Sequence, residues 1–351
     1  MRSVFYPRLV NGPWGDPALY VRIAHRGEAL LFDCGDLHPL GTRDRLKIQA
    51  VFLSHAHIDH LAGFDSLLRS VLYSPQELTF YGPPGIAEQI GHRLAGTTWN
   101  LIEGYPLVLR VREWGVDQGR QLRFRASRGF VAEELPPYAC PDGLLFERPG
   151  YRVRAIPLAH GDIISLAFCL QEPMHVAIHK EALLAQGLAA GPWLTGFKDQ
   201  LRRQGEASAS IEVPLLAGGS SCWPLAQLAA VIAHCERGMK LCYVTDVSPT
   251  AANFQAIQAL AAEAHLLAIE ATFAHADLER ARQRNHLTAH LAGALGRRAA
   301  AAKLLLFHHS PRYAQRPALL AAEAAAAFAA SEPSEALEDV QMHSVFDKSL
   351  C

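Results

Sequence analysis

Four side chains able to bind a metal fall within six consecutive residues, His55-Ala56-His57-Ile58-Asp59-His60, directly after the apolar stretch Lys47–Ser54 (KIQAVFLS). No other feature restricts the fold as much. A short apolar run bounded by polar residues reads as a buried strand. Alternate residues of a strand share a face, so His55 and His57 point the same way where the strand gives out into a loop. Asp59 and His60 then turn towards a second position beside the first. Packed this densely, the four groups would repel and desolvate one another without a cation. Imidazole nitrogen and carboxylate oxygen are the donors zinc takes when thiolates are absent.

Thiolates are no competitor here. The seven cysteines are scattered, odd in number and form no C-x-x-C pair, which argues against a disulfide framework or a cysteine zinc site. Most read as buried free thiols. Hydrophobic residues make up 50% and charged residues 19% of the 351, enough for a sizeable core. A formal net charge of -1 excludes a protein that grips nucleic acid with its whole surface. No apolar run approaches the roughly 20 residues that span a membrane, and MRSVFYPRLVNGPWG lacks the apolar region of a secretory signal. A cytoplasmic protein with no membrane contact is expected.

Further strands are expected at Tyr20–Cys34 (two, with a turn at Arg26-Gly27-Glu28), Tyr151–Leu158, Leu241–Asp246, His265–Glu270 and Lys303–His308. Helices are expected at Leu61–Leu72 and at the alanine-rich Pro317–Ala330. Trp114–Gly150 reads as short strands and loops. Residues 171–213 read as an inserted arm or a structural insertion within one domain spanning 1–351. Strands interleaved with helices indicate an α/β layered fold.

H-x-H-x-D-H after an apolar strand resembles the signature of the metallo-β-lactamase superfamily. The resemblance implies a four-layer αβ/βα sandwich with two divalent metal ions at one sheet edge. Zinc is expected, with manganese or iron as alternatives. His55 and His57 would hold one metal, Asp59 and His60 the other. His160 fits the third histidine of the first metal, Asp246 the bridging carboxylate, and His308 the last ligand of the second.

The last third narrows the resemblance. Ile269-Glu270-Ala271-Thr272-Phe273, then His286-Leu287-Thr288, then His308-His309-Ser310-Pro311-Arg312-Tyr313 resembles the ribonuclease Z family, zinc phosphodiesterases that cut the 3′ trailer from precursor transfer RNA. That order sets His308, not His309, in the ligand position. It implies His286 as proton donor to the leaving oxygen and Asp59 as both ligand and orienter of the attacking water. Ser310 and Arg312 would hold a phosphate, and Tyr313 would stack or hydrogen-bond. Glu270 would position a histidine, and Asp33, in Asp33-Cys34-Gly35-Asp36, would support the metal loop by hydrogen bonding. For His286 the residues themselves suggest a helix start capped by Asn285. Leu188-Ala189-Ala190-Gly191-Pro192-Trp193 resembles part of the arm with which that family grips transfer RNA, often across a homodimer. Its cations Lys180, Lys198, Arg202 and Arg203 are offset by Glu172, Glu181, Asp199 and Glu206. A small or cyclic phosphodiester is therefore the alternative substrate, and hydrolysis of another bond a further one.

Overall fold

The computed structural model describes residues 4–203 and 206–330. The described residues form two compact units. The first comprises residues 4–145, 153–169 and 240–330; the second, 146–152, 170–203 and 206–239.

In chain order the first sheet is built from β1 (Phe5–Leu9), β2 (Leu19–Ile23), β3 (Ala29–Phe32), β4 (Ile48–Phe52), β5 (Glu77–Gly82), β6 (Val108–Glu113), β7 (Gln118–Arg125) and β8 (Ala132–Ala139). The strands lie side by side in that order, with β3 to β6 parallel and the outer pairs antiparallel. Then come β9 (Leu144–Arg148), β10 (Tyr151–His160) and β11 (Ile163–Gln171). The second unit contributes β12 (Met174–Ile178), β13 (Ser210–Pro214), β14 (Ser220–Pro224) and β15 (Ala233–Arg237). The chain returns as β16 (Lys240–Val244), β17 (Leu266–Glu270) and β18 (Leu304–Phe307). The second large sheet has the order β18-β17-β16-β11-β10-β9, with β16, β17 and β18 parallel.

Strands β3 and β4 are apolar at nearly every position because both of their faces are covered. One face carries Leu31, Val51 and Leu53, which pack with Phe64 and Leu67 of the helix Phe64–Val71 and Ile86 and Ile90 of the helix Ile86–Ala95. The other face carries Phe32 and Phe52, stacked at 5.0 Å, which meet Phe168 of β11 at 5.8 and 5.7 Å. On the second sheet Cys242, Val244, Leu267 and Ile269 pack under the helices Ala251–Ala261, Ala289–Arg298 and Leu319–Ala329. Helix, sheet, sheet, helix is the four-layer α/β sandwich.

The helix expected at Leu61–Leu72 is broken into Ile58–Leu61 and Phe64–Val71. Gly63 is the cause. Its N–H donates to Cys34 O at 2.8 Å, and a β-carbon on it would meet Gly35 O at 2.1 Å. The two loops carrying Asp33 and His60 press together there, which a continuing helix would prevent.

The second unit contains the 171–213 segment and runs on to Met239. It extends further because β12 pairs with β15 and β13 with β14, so the strands inside the segment need partners beyond it. Leu183, Phe197, Val213, Leu228 and Ile232 form its own core. Arg202 is spent internally, 3.1 Å from Glu172 and 3.0 Å from Asp199. Cys34, Cys140, Cys169 and Cys242 are buried free thiols, while Cys222 and Cys235 are exposed; Cys351 lies outside the described residues. Among those residues no helix is long and apolar enough to cross a membrane.

Candidate metal centre and active site

The strands β3, β4, β10, β16, β17 and β18 all end near one place. Asp33 follows β3, His55 follows β4, His160 ends β10, Asp246 follows β16, Glu270 ends β17 and His308 follows β18. In parallel neighbours the C-terminal strand ends lie on one side of the sheet, and the loops that follow gather there. Residues more than 200 positions apart in sequence meet for that reason.

Three overlapping groups of ligand atoms result, each within 4.8 Å: His55, His57, His160 and Asp246; Asp59, His60 and His308; and Asp246, Glu270, His286 and His308. Asp246 is central. Its Oδ2 lies 3.7 Å from His55 Nε2, 3.4 Å from His60 Nε2 and 3.8 Å from His160 Nε2. Its Oδ1 lies 3.3 Å from His308 Nδ1. His308 Nε2 is 3.2 Å from Asp59 Oδ2.

Hydrogen bonds decide which imidazole nitrogen faces inwards. His60 Nδ1–H donates to Asp33 Oδ2 at 2.9 Å. The Ser54 hydroxyl donates to the same carboxylate at 2.9 Å, so its oxygen accepts from His55 Nδ1–H at 3.0 Å. His160 Nδ1–H donates to the Asn285 carbonyl at 2.9 Å. The Thr272 hydroxyl donates to Glu270 Oε2 and accepts from His308 Nδ1–H at 3.2 Å. For His55, His60 and His160 this leaves Nε2 for the centre, while His308 Nε2 faces Asp59 Oδ2.

The residues fit a metal. His55 Nε2 and His60 Nε2 are buried without a hydrogen-bond partner. Such atoms cost roughly 1–3 kcal/mol each when nothing satisfies them, and a cation would do so. Burial pushes the His55 pKa down to about 2, so its lone pair is free at any working pH. Burial works against charge on Asp59 and Asp246 too. The hydrogen bond from His308 nevertheless holds Asp59 down at about 2, and His308 and His60 hold Asp246 well below the carboxylate range. His60, though buried, is raised well above its usual value by Asp246 and Asp33. Asp33, Asp246 and His308 have φ of 54°, 34° and 60°, left-handed conformations that cost these residues energy and persist only where the surroundings enforce them.

His286 stands beside this cluster, its ring 5.2 Å from His160 and 5.3 Å from His308. Its Nδ1 is 2.9 Å from Glu270 Oε2, and Glu270 Oε1 accepts the Val247 N–H at 2.8 Å. Burial disfavours charge on His286, but Glu270 outweighs it and lifts the pKa to about 9. Asn285 does not cap a helix start. It ends the preceding helix Leu278–Arg284 at φ 58°, and Thr288 caps the next. The sequence-based cap fails because asparagine serves both ends, and only the dihedral tells them apart.

The three expected substrate contacts separate. Arg312 is half-exposed, with Nη1 3.3 Å from Asp277. The Ser310 N–H donates to Thr272 O at 3.1 Å. Tyr313 is buried and its hydroxyl donates to Asp277, so it secures the turn and offers no open face for stacking. His309 points away from the cluster: its Nδ1–H donates to the Ala271 carbonyl at 2.9 Å and its ring meets Trp14. Ser54, Thr272 and Tyr243 were missed from sequence. Lone hydroxyls in strands or just beyond their ends give no signal until their partners are placed.

A profile of the Beta-lactamase superfamily domain matches residues 31–173. A ribonuclease Z of Deinococcus radiodurans is 34% identical over 336 residues, 92% of this chain and 97% of its own. A ribonuclease Z of Methanothermobacter thermautotrophicus is 26% identical over 84% of this chain and 82% of its own. Two solved structures share the fold. A metallo-β-lactamase-fold protein of Bacillus subtilis superposes with a TM-score of 0.52 at 16% identity, over 92% of each chain. The short form of human tRNase Z gives 0.50 at 19%, over 88% of this chain and 93% of that one. Identity of that level along nearly the whole of both chains, over a site whose ligand-type residues converge, places this chain in the ribonuclease Z family, endoribonucleases on the metallo-β-lactamase fold.

Proposed function

We propose that this chain cuts the 3′ trailer from precursor transfer RNA. The observation that carries this is the Glu270–His286 pair, held at 2.9 Å against the histidine and aspartate cluster. A hydrolase of phosphodiesters needs a proton donor for an alkoxide leaving group beside its metal site, and His286 is that donor in this reading. His55, His57 and His160 would hold one ion and Asp59, His60 and His308 the other, with Asp246 between them. When bound, two divalent ions supply Lewis acidity and a nucleophile at neutral pH. Asp59 orients the attacking water, which gives one proton to solvent as its oxygen bonds to phosphorus; the bond from phosphorus to the 3′ oxygen breaks, and His286 gives its Nε2 proton to that oxygen. Glu270 holds Nδ1 throughout. Asp33 fixes the ring of His60, and Arg312 and the Ser310 hydroxyl contact flanking phosphates.

Zinc as the metal, a homodimer as the assembly and the cytoplasm as the location belong to this proposal. A small phosphodiester is the second reading. It is favoured by Arg202, whose guanidinium is occupied by Glu172 and Asp199 rather than offered to a polyanion. Cleavage of a labelled precursor transfer RNA beside bis(p-nitrophenyl) phosphate, with His55→Ala as the blank, separates the two. A specific cut at the 3′ side of the transfer RNA body supports the first. Hydrolysis of the ester alone leaves the second.

A further inference from the structure

A strand end and two loops supply His160, Asp246 and His286, and one residue joins them. Asn285 ends the helix Leu278–Arg284 at φ 58°, a conformation that asparagine visits far more readily than most residues. Its main-chain carbonyl takes the His160 Nδ1–H. Its side-chain Oδ1 accepts from Ser248 Oγ at 3.0 Å, and Ser248 Oγ accepts the Gly161 N–H at 2.9 Å. The Ser248 N–H donates to Ala159 O at 2.9 Å. Gly161 has φ 62°, and a β-carbon on it would meet Asn285 Nδ2 at 2.9 Å. The amide therefore fills the space beside His160 and is tied to the loop that follows Asp246. The next residue in the chain is His286.

We infer that Asn285 is a positioning residue, whose side chain, latched to Ser248 and packed on Gly161, sets the place of His286 as proton donor. This rests on the role proposed for His286 above. Two properties of Asn285 can be separated. Its left-handed backbone turns the chain out of the helix, which glycine does equally well. Its amide fixes where that turn sits relative to His160 and Asp246, which glycine cannot do. Glu270 holds the imidazole through Nδ1 and the His286 N–H donates to Ala281 O at 2.9 Å; the amide adds the tie from this turn to Ser248 in the loop that follows Asp246, and without it the turn loses that restraint. Proton transfer requires hydrogen-bond reach, and a misplacement of about 1 Å can cost about a hundredfold.

The test compares the metal-loaded full chain with Asn285→Gly, Asn285→Asp and His286→Ala on two substrates. One is an RNA with a 3′ trailer, whose alkoxide leaving group needs a proton. The other is bis(p-nitrophenyl) phosphate, whose phenolate does not. Asn285→Gly is expected to lose about 10- to 100-fold in kcat on the RNA, with KM within about threefold, and under about threefold on the ester. Metal per chain should match the parent. Asn285→Asp, which keeps the acceptor for Ser248 and tolerates the backbone, should recover to within about threefold of the parent. Equal loss on both substrates, or loss that follows metal content, would overturn the latch. If His286→Ala shows no such selectivity, the donor assignment fails and the inference falls with it. If His286→Ala is selective and Asn285→Gly is not, the latch alone is wrong.

Discussion

The Tyr243 hydroxyl, on β16 of one sheet, donates to Asp33 Oδ2 at 2.8 Å, beyond the end of β3 in the other. The same oxygen takes the His60 Nδ1–H at 2.9 Å. A bond across the sandwich thus reaches His60 in the histidine and aspartate cluster through one carboxylate. Tyr243→Phe leaves Asp33 with Ser54 N–H, Ser54 Oγ and His60 as donors, so the carboxylate is not stranded. The expected cost is about 1–3 kcal/mol of stability, with metal affinity down by about tenfold. Denaturant unfolding and metal titration of the variant measure both.

His286 should make stability depend on pH in the metal-free chain. Its pKa in the fold, about 9, lies above the ordinary 6.5. The contribution of the protonated ring is therefore fully present below about pH 6.5 and is lost as pH rises through about 9. The difference in denaturation midpoint between the parent and His286→Gln, on chelator-treated protein, should shrink across that window. A difference that grows with pH would refute the Glu270 pairing as its cause.

Chelation should abolish hydrolysis and lower the melting temperature, because a ligand that binds only the folded state stabilises it. Readdition of a divalent ion should restore both. His55→Ala should hold fewer than two ions per chain by elemental analysis, with kcat down by more than about a hundredfold. Full metal content in that variant would remove His55 from the ligand set.

Gly63→Ala should behave like a core lesion, although the residue is a small one in a loop. The added carbon would sit 2.1 Å from the Gly35 carbonyl, and backbone cannot yield as a side-chain tip does. Overpacking of this kind costs about 1–3 kcal/mol. Since His60 and Asp33 lie on the two loops forced apart, metal affinity should fall with stability. A melting temperature and metal content equal to the parent would contradict the contact.

Sequence alone determined the strands that carry the site and the chemistry at their ends. The apolar stretches at β3, β4, β16 and β17 were legible because strands covered on both faces need such residues throughout; β10 alternates between buried and half-buried positions. The density of ligands in His55–His60 is local and needs no fold to be noticed. The tertiary structure decided what depends on partners distant in the chain. It turned His308 inwards and His309 towards Ala271 and Trp14, the order that the motif resemblance had implied. It made Asn285 a helix end rather than a start, through a dihedral. It broke the helix after Leu61 because two glycine loops needed the space. It also gave Tyr313, Thr272 and Tyr243 their partners. A hydroxyl's role is fixed by what lies within 3 Å of it, and composition and spacing along the chain do not encode that distance.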